Sequence, residues 1–134
     1  MKNFPEFCQQ LEDKIKNAYE EGTSLEQAEK LAGEFLYGQM KVSHELSTTD
    51  LDSRMRKSGV KAVKAAIYMD AATKFDKKPT EAMLAATVDS HEVVQSEQEA
   101  LDKAEVSKSE LERLYDIFGN AHIFFRGVAK GNFN

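Results

Sequence analysis

The sequence predicts an all-α protein of four or five helices, arranged as a helical hairpin or bundle with a long fourth helix. Three observations predict it. Apolar residues recur at spacings of three and four along most of the chain, while no β-branched run alternates and no Asn-Gly hairpin turn appears. The only two prolines among 134 residues, Pro5 and Pro79, both stand beside predicted helix starts. Charged residues make up 31% and apolar residues 41%, a balance that suits helices with one buried face. The length suits one domain, divided into an N-terminal helix pair over residues 1–46 and a basic helix with a C-terminal helical hairpin over residues 50–134.

A first helix is expected from Pro5 to Glu20, carrying Phe4, Phe7, Leu11, Ile15 and Tyr19 on one side. Gly22 stops it, and Thr23 with Glu26 forms a capping box for the second helix, Ser24 to Leu46. Leu25, Ala28, Leu31, Phe35, Leu36 and Met40 mark the apolar side of that helix. Ser47-Thr48-Thr49-Asp50 are four residues that favour caps over helix interiors, so a break is expected there. The third helix, Leu51 to Lys74, has an alanine-rich centre and is closed by Asp76-Lys77-Lys78-Pro79. Thr80 caps a fourth helix that runs to Val106 on a thin stripe of Leu84, Val88, Val94 and Leu101, about 40 Å long. A second capping box at Ser107-Lys108-Ser109-Glu110 predicts a break or kink, before a more apolar last helix, Glu110 to Ala129. Its apolar residues, Leu114, Ile117, Phe118, Phe124 and Phe125 among them, are expected in the core or at an oligomer contact. A thin-stripe helix next to a rich one suits an oligomeric bundle.

Several function classes are disfavoured. No segment approaches the roughly 20 apolar residues of a membrane span. Met1 to Gln10 has no basic region followed by an apolar core, so no signal peptide is read there. The single cysteine, Cys8, falls on the apolar side of the first helix and reads as a structural thiol in a reducing, cytoplasmic compartment. His44, His91 and His122 are far apart and lack metal-ligand spacing, so neither metal nor cofactor is expected. With no nucleophile elbow, phosphate loop or convergent acid–base pair, no catalytic residue is assigned and the chain is read as a non-enzyme.

Charge is the informative feature. The total is −5, but residues 51–80 hold 8 basic and 3 acidic side chains, while residues 81–116 hold 3 and 10. Arg54, Lys57, Lys61 and Lys64 follow spacings of three and four and share one helix face, with Tyr68 continuing the line. Lys74, Lys77 and Lys78 extend the positive region. The opposite side gathers Leu51, Met55, Ala62, Val63, Ala66 and Ile67, expected to be buried. Such a row can neutralise successive phosphates without reading sequence, and an aromatic side chain beside it can stack on an unpaired base. Arg126 and Lys130, near Phe124, Phe125 and Phe133, are candidate additions. The competing reading is a solvated face paired with the chain's own acidic helices, whose segment Glu92 to Glu112 would itself suit a protein partner.

The segment Ala62-Val63-Lys64-Ala65-Ala66-Ile67-Tyr68 resembles the basic helix of the UvsY-type recombination mediators of tailed phages. In that family a Lys-Ala-Arg-Leu stretch contacts single-stranded DNA. The matching residues are Lys64, Ala65, Ala66 and Ile67; the arginine is replaced by Ala66, and Lys57 and Lys61 lie on the same face. Residues 80–97 are similar to the family's polar helix, and residues 111–127 to its final helix. The resemblance implies a homo-oligomer in the host cytoplasm, binding single-stranded DNA through the basic helix. It would help load a recombinase against an ssDNA-binding protein. The alternative is a phage adaptor or host-directed inhibitor working through the acidic helices.

Overall fold

The computed structural model describes residues 3–74 and 77–131. Among them the fold is all-α, with four helices and no strand: α1 (Phe4–Glu21), α2 (Leu25–Lys74), α3 (Glu81–Ser90) and α4 (Glu92–Ala129). No helix is long and apolar enough to cross a membrane among the described residues. Asp76, of the expected stop before α3, and Phe133, beside Arg126 and Lys130 in the sequence, lie outside those residues.

Local chemistry explains the helix starts. The Asn3 side chain accepts the Glu6 N–H at 2.9 Å, and Pro5 sits in the first turn, where no N–H is required. Gly22 ends α1 with φ 76°, a conformation that favours glycine, and its N–H donates to the Ala18 carbonyl. The capping box of α2 is displaced by one residue from the expected pair. Ser24 Oγ accepts the Gln27 N–H at 3.1 Å, and the Gln27 side chain accepts the Ser24 N–H at 3.2 Å. Thr80 caps α3 as expected, accepting the Met83 N–H at 3.1 Å.

The two expected breaks do not occur. Ser47-Thr48-Thr49-Asp50 lie inside α2, and Ser107-Lys108-Ser109-Glu110 lie inside α4. Asp50 and Lys108 account for part of this. Their side chains pair at 2.7 Å, so the Asp50 carboxylate has a partner other than the local backbone N–H groups that make Asp a helix breaker. The break falls instead at His91, whose backbone is extended. Its ring Nδ1 accepts the Val93 N–H at 3.1 Å, so a histidine serves as the cap of α4.

The chain forms two compact units: Met1–Leu46 with Glu110–Asn134, and Ser47–Ser109. The last helical segment therefore joins the N-terminal helices, not the basic helix. In the first unit, Cys8 and Leu11 of α1 meet Ala28, Ala32, Phe35 and Val42 of α2, and Leu114, Phe118, Ala121 and Phe125 of α4. The Phe35 ring packs against Phe118 and Phe125 at 5.8 and 5.6 Å between centroids. Expected core residues Tyr19, Leu25, Leu36 and Met40 are exposed. Helix α2 turns its Ala28–Ala32–Phe35–Val42 side inward instead.

In the second unit α2 and α4 run antiparallel. Asp50 meets Lys108 at one end, and Lys64 shares a groove with Val94 and Gln98 further along. Val60 and Ala71 of α2, Leu84 and Val88 of α3, and Val94, Leu101 and Ala104 of α4 are buried.

Candidate nucleic-acid interface

The part of α2 in the second unit positions the basic residues. Acid-to-base pairs one turn apart support the helix: Asp50–Arg54 at 3.1 Å, Asp52–Arg56 at 3.0 Å and Asp70–Lys74 at 2.8 Å. Acid N-terminal to base is the favourable order on a helix. The inward side is Ser53, Val60 and Ala71, with Val63 and Ile67 half-buried.

The face expected to be buried is largely the outer one. Leu51, Met55 and Met69 are 60%, 66% and 66% exposed, and Ala62 and Ala66 are exposed with them. The helix carries two apolar lines on roughly opposite sides, at about 100° per residue. One is Leu51–Met55–Ala62–Met69 and the other Val60–Val63–Ile67–Ala71. Periodicity does not choose between two such lines; packing against α3 and α4 does. The branched line, with Val60 and Ile67, is the one that turns inward.

The basic row is split by this orientation. Lys57 and Lys61 are exposed, with no ion-pair partner among the described residues. The Arg54 side chain is 78% exposed and, among the described residues, pairs with Asp50 on its own helix. An exposed pair of that kind is worth little and opens readily. Lys64 is half-buried and lines a groove with Asp89, Glu99 and Asp102. Tyr68 is half-buried, and its hydroxyl donates to the Glu81 carboxylate at 3.1 and 3.3 Å. That hydrogen bond and the Glu81 charge raise the phenol above its ordinary value. Tyr68 ties α2 to the start of α3 and is not a free stacking platform. Lys77 and Lys78 are exposed in the connection to α3.

The other assignments also have places. Leu114, Phe118 and Phe125, expected in the core or at a subunit contact, lie in the core of the first unit. Ile117 is half-buried and Phe124 exposed; with Ile15 and Tyr19 they line an apolar groove of about 620 Å³. Arg126 and Lys130 are exposed residues of that same unit. Burial, with the Glu12 and Glu45 charges, pushes the Cys8 thiol up to about 11, which makes it a poor nucleophile. His122 Nδ1 lies 2.9 Å from the Ala32 carbonyl and can donate to it, a structural bond within the first unit. Among the described residues no group of three His, Cys, Asp or Glu side chains could hold a metal ion.

No protein-family model, curated protein or solved structure matches the chain. The site therefore rests on its own geometry.

Proposed function

We propose that the protein is a non-enzymatic single-stranded DNA binder, meeting the phosphate chain with Arg54, Lys57 and Lys61 on the outer side of α2. The observation that carries this reading is the row itself: three exposed cations, one turn apart, of which two have no internal partner among the described residues. Lys77 and Lys78 extend it; Lys64 contributes less, being half-buried, and Tyr68 less, its hydroxyl being bonded to Glu81. Such contacts give affinity without sequence preference.

The resemblance of residues 62–68 to the UvsY-type basic helix supports a place in recombination. In that role a homo-oligomer in the host cytoplasm would hold single-stranded DNA while a recombinase replaces an ssDNA-binding protein. Several copies of a short cation row bind far more tightly than one, through effective concentration. A second reading has its own observation. Glu92, Glu99, Asp102 and Glu105 are all exposed on the part of α4 in the second unit, a surface suited to a basic protein partner of an adaptor or inhibitor.

Fluorescence anisotropy with labelled oligothymidylate separates the two. Lys57→Ala/Lys61→Ala should weaken binding at least tenfold at low salt, since each phosphate contact adds to affinity. Lys103→Ala, which removes a cation already paired with Glu99 on α4, should leave it unchanged. Equal affinity of the parent and the Lys57/Lys61 variant would remove the row from consideration.

A further inference from the structure

The cations of α2 border an apolar surface. Leu51, Met55 and Met69 project from the outer side, with Ala62, Ala65 and Ala66 open between them. The stripe is about 27 Å long at 1.5 Å per residue. Arg54 and Lys61 run along one edge. The other edge carries Asp52 and Asp70, and both are already neutralised one turn on, by Arg56 and Lys74. The first edge thus carries an unpaired cation, Lys61, among the described residues, while the charges of the second are matched one to one.

We infer that the Leu51–Met55–Met69 stripe receives the bases of the strand whose phosphates Arg54, Lys57 and Lys61 hold. This rests on the single-stranded DNA reading and adds what that reading lacks, a reason for preferring unpaired DNA to duplex. Phosphates alone do not distinguish the two, because both carry them. A duplex hides its base faces in the stack and leaves the stripe in water. An unpaired strand along the cation edge can turn its bases over the stripe. There, apolar surface leaves water and the methionine thioethers meet aromatic rings.

Charge selects this occupant over a second copy of the same face. Laid antiparallel, two copies would bring their Arg54–Lys57–Lys61 edges together. Laid parallel, the cations would meet Asp52 and Asp70 beside Arg56 and Lys74, and each copy would still bring six cations against three carboxylates over residues 50–74. A polyanion bearing flat apolar groups satisfies both the edge and the stripe.

The test compares labelled oligothymidylate with an abasic strand of equal length and charge, at fixed low salt. The parent should bind oligothymidylate more tightly. Met55→Gln/Met69→Gln should lower that affinity towards the abasic value, about two- to tenfold for each methionine. Abasic binding and the salt slope should be unchanged. Both side chains lie outside the core, so the far-UV spectrum should not move. Equal binding of the two strands by the parent overturns the inference and leaves the cation row standing. Absence of binding to either strand overturns both. If the variant instead loses self-association with an unchanged ratio between the strands, the stripe is a contact between copies and the inference fails.

Discussion

Phe35 and Phe118 are fully buried, and their rings meet at the centre of the first unit's core. Truncating either leaves a void that three helices border. Phe118→Ala should lower stability by about 3–5 kcal/mol in urea unfolding, the range for a buried phenylalanine; a loss below about 1 kcal/mol would mean the core is packed differently. Cys8 should stay unreactive towards a disulfide reagent at pH 8 and react fully once the chain is denatured, because burial keeps its thiol protonated. Asp50 allows a pH prediction. The hydrogen bond from Lys108, opposed by partial burial and reinforced by Arg54, holds its carboxyl below the ordinary value. A lowered folded-state value adds stability above the unfolded-state value, and that stability is lost as pH falls through the folded one. The difference in urea midpoint between the parent and Asp50→Asn should therefore be largest near neutrality and close on acidification. A difference that persists at pH 2 would show that the ion pair is not its source.

Helix α2 has three glycines in different surroundings. A Cβ at Gly38 would overlap the buried Leu11 side chain and touch Phe118, whereas Gly33 faces open space and Gly59 has only the Glu97 carboxylate 3.9 Å away. Gly38→Ala should destabilise by about 1–3 kcal/mol through overpacking. Gly33→Ala and Gly59→Ala should each stabilise by about 0.5–1 kcal/mol, as alanine is the better helix former. Thermal midpoints of the three variants test this pattern, and a gain at Gly38 would contradict the close approach of α1 and α2. The same helix shows what could be read from the residues alone. Gly22, Pro5 and Thr80 act through neighbouring backbone, so their effects were legible. Ser47 to Asp50 favour caps only while local bonds are the best on offer, and Asp50 has a better partner in Lys108, 58 positions away in sequence. Nothing local shows that partner. The outer stripe is not legible for a related reason: two apolar lines compete on one helix, and the tertiary packing of Val60 and Ile67 decides between them.

For the molecule as a whole, a net charge of −5 makes indiscriminate coating of nucleic acid unfavourable, so any DNA contact has to be local. The basic segment provides that locality, and the structure sharpens it. Of the residues expected to hold DNA, Arg54, Lys57, Lys61, Lys77 and Lys78 are exposed, while Lys64 is half-buried and Tyr68 is bonded to Glu81. One copy with so few free cations binds weakly, so the proposed role predicts a solution mass that is a multiple of the chain mass. A monomer at concentrations that saturate DNA binding would remove avidity from the account. The most direct measurement is the salt dependence of oligothymidylate binding by the unmodified protein. Three phosphate contacts per copy predict that log K falls with log salt at a slope of about −2 for each engaged copy, and more steeply as copies act together. Binding that is absent at low salt, or indifferent to salt, would contradict it.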